Sequence, residues 1–161
     1  MSKLSRKDVG KLVLCIAAPL LAGTLGQLFM PAVRTWYATL NKPSFNPPGW
    51  VFGPVWTVLY ILMGMAAFIV WQKGWAVPAV RAALGAFAVQ LILNAAWTPV
   101  FFGLHSPVGA LVVIVVLWAA IVWTIVLFRK VSVLAAWMLV PYLLWTTFAV
   151  ALNAGFCVLN R

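Results

Sequence analysis

Read for its apolar and polar positions, the chain divides into five long apolar runs separated by shorter breaks. The runs are about Leu12–Met30, Pro54–Gln72, Ala82–Gly103, Val108–Phe128 and Ser132–Val158. Each reaches the roughly 20 mainly apolar residues that a helix needs to cross a bilayer. No charge falls between Lys11 and Arg34, and none between Arg81 and Arg129 if His105 is neutral. In hydrocarbon the backbone must satisfy itself within each segment, so these runs are helices. The pattern predicts an all-α polytopic membrane protein, a five-transmembrane-helix bundle using residues 1–161 as one domain. The first run follows a basic stretch, as a signal core would. It exceeds the ~7–15 apolar residues of such a core and is read as a retained helix.

The breaks are unequal. Three are short, but residues 31–53 contain most of the stretch WYATLNKPSFNPPGWVFGPVW. Pro31, Pro43, Pro47, Pro48 and Pro54 restrict this region and remove amide donors. Its aromatic surface is more than a solvated connector needs. A stiff aromatic segment beside a helical bundle reads as a lid.

Within the runs, polar and aromatic residues fall on faces. Gln90, Asn94, Trp97 and Phe101 share one side of the third helix. Tyr142, Trp145, Ala149, Leu152 and Phe156 do so on the fifth, and Trp56, Tyr60, Met63 and Ala67 on the second. Such stripes serve helix packing as well as ligands. Gln90, Asn94 and Asn153 add a constraint, because amides in hydrocarbon need partners. At a rise of ~1.5 Å per residue, Trp56, Trp97, Asn94, Ala149 and Trp145 all fall in the half of the bundle below the lid. Together they outline an apolar pocket with a few polar anchors. Ala18, Ala22 and Gly26, and Ala82 and Ala86 beside Gly85, allow close helix approach within the chain or in a homodimer. Pro19, Pro99 and Pro141 are expected to bend or widen their helices.

Composition sharpens this picture. The chain is 66% hydrophobic and 7% charged, with a net charge of +10. Lys3, Arg6, Lys7, Lys11, Lys73, Arg81, Arg129 and Lys130 fall on one side of the predicted topology, and Arg34, Lys42 and Arg161 on the other. The positive-inside rule then sets the N-terminus inside, and the lid and C-terminus outside. Helix ends facing anionic headgroups account for the basic residues without nucleic acid. The one acidic residue, Asp8, precedes the first run, so no span carries the charged path usual in ion-coupled transport. His105, Cys15 and Cys157 are too few and too separated for a structural zinc site or an intrachain disulfide. Nor is there a Ser–His–acid set or a carboxylate pair. His105 is expected to be exposed and unpaired in its turn. Ten tryptophans remain; a headgroup belt explains Trp71, Trp75 and Trp137, but not the mid-helix Trp118 and Trp145.

The segments RTWYATLNKPSFNPPGWVFGPVWTVLY, QLILNAAWTPVFFG and AAWMLVPYLLWTTFAVALN carry a specific likeness. Through them the chain resembles the translocator protein / tryptophan-rich sensory protein (TspO, peripheral benzodiazepine receptor) family. The resemblance implies a five-helix bundle, usually dimeric, whose first loop caps a pocket for porphyrins such as protoporphyrin IX. In animal members it also implies cholesterol and benzodiazepine-type ligands. No cofactor is implied beyond porphyrin as ligand, and no metal. Carried over by motif, the ligand-binding residues are Tyr37, Trp56, Asn94, Trp97, Trp145 and Ala149. Trp56 and Trp145 match tryptophans linked to light-dependent porphyrin breakdown, which makes them the catalytic candidates. Sensing is the leading role implied, with photo-oxidation or transport of porphyrin or sterol as alternatives. The chain departs from the animal sterol pattern: Leu152, Phe156 and Arg161 stand where an apolar residue, Tyr and a basic residue are needed. The reversed pattern Arg34–Tyr37–Leu40 is present but weak. The short tail and basic N-terminus suggest a bacterial cell membrane.

Overall fold

The computed structural model describes residues 5–24 and 28–161, and every regular element in them is helical. Helix α1, Arg6–Thr24, opens with a reciprocal cap. The Asp8 amide donates to Ser5 Oγ at 3.2 Å, while the Ser5 amide and hydroxyl donate to the Asp8 carboxylate at 3.1 and 2.7 Å. The only acidic side chain is thus used at a helix N-terminus, where the dipole favours it. Two short helices follow, α2 (Met30–Arg34) and α3 (Trp36–Thr39), and then α4 (Gly49–Trp71). The expected loop 31–53 is therefore partly helical, and α4 begins ahead of Pro54. Pro54 is the sixth residue of α4, where it removes one helical hydrogen bond, to the Trp50 carbonyl.

Helix α5, Pro78–Thr98, runs on into a π-helical turn at Pro99–Gly103. Pro99 has no amide to donate, and its carbonyl accepts from Leu104 at 2.9 Å across the wider turn. Ser106 then caps α6 (Pro107–Val131) by accepting from the Gly109 amide at 3.1 Å. After Ser132 the last apolar run divides into α7 (Val133–Met138) and α8 (Val140–Leu159). The break at Leu139 lies just before Pro141, whose ring excludes a continuous helix. Pro19, by contrast, is accommodated inside α1.

Four helical stretches are long and apolar enough to cross a membrane: Gly49–Trp71, Pro78–Gly103, Pro107–Val131 and Val133–Leu159. They and α1 form a ring in the order α1, α4, α7–α8, α6 and α5, with α5 returning to α1. The expected α1 stripe includes Gly26, which lies outside the described residues. An unexpected glycine closes the α1–α4 seam instead. A Cβ at Gly64 would sit 2.6 Å from Ile16 Cα and 2.7 Å from the Cys15 carbonyl, so only glycine permits this approach.

Candidate functional site

The lid is held by rings. Trp36 meets Phe101 edge-on at 5.5 Å, and Tyr37 lies 5.5–6.3 Å from Phe101, Phe102 and Phe156. Phe45 abuts Phe148 at 6.3 Å, and Phe52 meets Trp145 edge-on at 5.9 Å. These offset and T-shaped contacts suit the quadrupoles of the rings. Pro43, buried within the lid, seats on Gly155 of α8, where a Cβ would come within 2.6 Å of its ring. Polar contacts finish the closure. The Asn41 amide donates to Asn160 Oδ1 at 2.8 Å, and Asn160 Nδ2 donates back to the Asn41 carbonyl at 2.9 Å.

His105 is exposed but not free. Its ring stacks on Trp36 at 4.6 Å and 21°, and its φ of 50° turns the chain tightly before α6. The expectation of an unpaired histidine is corrected here: Trp36 offers a flat face, and the left-handed turn presents the imidazole to it.

Each candidate binding residue has a definite place. Tyr37 donates its hydroxyl to Asn46 Oδ1 at 3.2 Å, and Lys42 Nζ lies 5.0 Å from the Tyr37 ring centre. Burial pushes the phenol above its ordinary value, with the Asn46 bond opposing, so Tyr37 remains a donor at neutral pH. Trp56 stacks on Tyr60 at 5.3 Å and meets Tyr142 edge-on at 6.1 Å. Asn94, buried between them, accepts from the Tyr60 hydroxyl and donates to the Tyr142 oxygen, both at 3.0 Å. Trp97 stacks on Phe101 at 5.0 Å and donates Nε1 to Asn153 Oδ1 at 3.0 Å. Asn153 in turn donates to the Pro107 carbonyl at 2.8 Å. Trp145 and Ala149 are half-buried on α8 beside this core.

Trp97 and Tyr37 belong to the outer ring cluster, while Trp56, Asn94, Trp145 and Ala149 lie around the Tyr60–Tyr142 layer beneath it. Phe52 links the two by bringing the first turn of α4 against Trp145.

Among the described residues three side-chain amides are buried in the bundle, and they differ. Asn94 and Asn153 are bonded, whereas neither Gln90 Nε2 nor Gln90 Oε1 has a partner although the residue is 1% exposed. Gln90 lies one turn deeper than Asn94 on the same face of α5. A buried amide with both ends unpaired is costly unless something else meets it. Two apolar cavities lie elsewhere, one around Trp118 of α6 and Thr147 of α8 and one at the end of the bundle away from the lid. Directly beneath the lid the aromatic rings touch one another.

The lid's fastenings had no signal in the sequence. Pro43 on Gly155 and Asn41 with Asn160 join positions more than a hundred residues apart, and no periodicity connects them. Trp118, a mid-helix tryptophan the belt did not explain, donates Nε1 to Thr147 Oγ1 at 2.8 Å across α6 and α8.

Comparison with known proteins matches residues 15–159 to the TspO/MBR family. The chain is 46% identical to "Tryptophan-rich protein TspO" of Chlorobaculum tepidum over 96% of its own length and 98% of that protein's. It is 45% identical to "Protein CrtK" of Rhodobacter capsulatus over 86% of each chain. Human "Translocator protein" is 46% identical over 76% of this chain and 72% of its own.

Proposed function

The chain belongs to the TspO/MBR family and is an integral, multi-pass membrane protein; from that premise we propose that it binds porphyrins and related flat apolar molecules beneath its first loop, in a sensing role. The observation carrying this reading is the aromatic clasp between lid and bundle. Trp36, Tyr37, Phe45 and Phe52 close onto rings of the π-helical turn and of α8. A macrocycle can replace ring–ring contacts with contacts of the same kind, so opening the clasp and filling it are energetically similar. Tyr37, Trp56, Trp97, Trp145 and Ala149 form the wall. Asn94 fixes the tyrosines behind it, and Gln90 is the amide still able to accept and donate. No cofactor is required.

Helix α1 serves as the fifth span, giving one domain over 1–161 with its N-terminus inside and the lid and C-terminus outside a bacterial membrane. The exposed small residue Gly85 on α5, with open space at its Cβ position, suits a homodimer.

The test is tryptophan quenching by protoporphyrin IX in the dark, in detergent or nanodiscs. Saturable quenching weakened by Trp145→Phe and Asn94→Ala supports the site. Linear quenching unchanged in both variants sinks it.

A second reading has its own support. Trp56 stacks on Tyr60, whose hydroxyl donates to Asn94, so an oxidised indole has a phenol ring beside it. Light-driven breakdown of porphyrin by oxygen would then depend on Trp56 and Trp145. Equal illuminated turnover in Trp56→Phe and Trp145→Phe would reject it. Passive transport of porphyrin or sterol ranks third and predicts flux in sealed vesicles above protein-free controls.

A further inference from the structure

At the end of the bundle away from the lid, an apolar groove of about 270 Å³ lies where α1, α4 and α5 meet. Leu14 and Ala18 of α1, Ala67 and Trp71 of α4, and Leu84 and Phe87 of α5 line it. This is not a sealed packing defect. Leu14 is 57% exposed, and Trp75, which also borders the groove, is 56% exposed. Lys11 stands one turn before Leu14 and Cys15, with Nζ 5.8 Å from the centre of the Trp71 ring.

We infer that this groove binds one acyl chain of an anionic phospholipid, with the headgroup phosphate held at Lys11. The size fits a chain. The volume accommodates about nine groups of water's size, at roughly 30 Å³ each. From Lys11 to Ala18 the helix descends about 10 Å, within the ~15 Å of one leaflet's hydrocarbon. The groove therefore begins at headgroup level and ends inside the same leaflet. Trp71 and Trp75, 6.3 Å apart, are indoles of the kind that sit at this interface.

The charge also fits. An ammonium over an indole face keeps its N–H donors free for a phosphate. Asp8, held by Ser5 within the α1 cap, keeps its negative charge three residues from Lys11 and offsets part of it, but it is one carboxylate against the four cations Lys7, Lys11, Lys73 and Arg81. Lys7, Lys73 and Arg81 lie at the same ends of their helices and add to the positive field. An anionic headgroup brings no cation of its own to oppose these residues, whereas a zwitterionic one does.

Native mass spectrometry of the detergent-solubilised full chain tests this, using phosphatidylglycerol and phosphatidylcholine with identical acyl chains. The expected result is one tightly held lipid per chain, with phosphatidylglycerol favoured about fivefold, the factor for one lysine near an anionic surface. Lys11→Gln should abolish the preference while leaving the thermal midpoint unchanged. Ala18→Phe should fill the groove and remove the adduct of either lipid. Leu14→Trp, at an exposed wall position, should do the same without entering the packed core. Equal retention of the two lipids by the natural chain overturns the inference. So does an adduct that survives both groove variants. A loss of dimer mass in those variants with lipid retained would assign the groove to chain–chain contact instead.

Discussion

The two halves of this bundle are built from different materials. The half away from the lid is held mainly by small aliphatic side chains around one stacked pair of rings, Phe87 on Phe128: Ala66, Ala67, Val70, Val80, Ala83, Ala86, Ala135 and Ala136 are all buried. Its helices can approach closely, as at Gly64 against Ile16. The lid half is held by rings and by hydrogen bonds among Tyr60, Asn94, Tyr142, Trp97 and Asn153. Close-packed small residues have one good arrangement, whereas rings can trade one aromatic partner for another. The contrast assigns permanence to one end and exchangeable contacts to the other.

The comparison is broken most severely at the seam. Gly64→Leu should cost about 3 kcal/mol or more by driving α1 from α4, read as a lower unfolding midpoint in detergent. Porphyrin affinity of the molecules that remain folded should change little. If it falls in parallel, the two halves are not separable.

Asn94→Leu comes next. It strands two buried tyrosine hydroxyls, a loss of about 2 kcal/mol, and should weaken porphyrin quenching as well. Asn94→Asp gives both tyrosine hydroxyls an acceptor but buries a carboxylate between them, so it should not restore the natural midpoint.

Gly155→Val addresses the lid alone. By lifting Pro43 it should weaken porphyrin binding about tenfold, roughly 1.4 kcal/mol, with little shift in the midpoint. A large midpoint shift would mean that the lid is part of the core. Gln90→Leu separates stability from binding in the opposite sense. Removing an unpartnered amide should leave the midpoint equal or raise it by about 1 kcal/mol, while porphyrin affinity falls. Unchanged affinity would remove Gln90 from the site.

The smallest effect is expected at Asp8. Its carboxyl is held below the usual carboxylate value, first by the Ser5 hydroxyl and then by Gln72. A lowered value in the folded chain means that its contribution is present above the unfolded carboxylate value and is lost as pH falls through the folded one. Asp8→Asn should remove that acid-side decline from the midpoint-against-pH curve. Superimposable curves would show that the cap adds nothing measurable.

What the sequence revealed divides along the same line. The long apolar runs are local: length alone predicted five membrane-spanning helices, of which four are long and apolar enough among the described residues, and helical spacing put Gln90, Asn94 and Phe101 on one buried face. Pro99 and Pro141 disclosed disturbances because a missing amide is a local fact. Their forms, a π-helical turn and a one-residue interruption at Leu139, depended on what each helix packs against. The lid's helices α2 and α3 were hidden because their proline-rich composition reads as irregular chain. Which amide would be satisfied was also illegible: Asn94 and Gln90 look alike in sequence, and only the tertiary position of Tyr60 and Tyr142 separates them.

The reciprocal amide pair between Asn41 and Asn160 has a consequence for biogenesis. These residues lie 119 positions apart, whereas Trp36 and Tyr37 meet Phe101 and Phe102 of the π-helical turn, only about 65 positions on. A bundle assembled from its N-terminus can therefore seat the first part of the lid once α5 and its π-helical turn are made, and must leave Asn41, Pro43, Phe45 and Phe52 without their partners until α8 follows. The lid closes in two stages, and the second waits for the last helix.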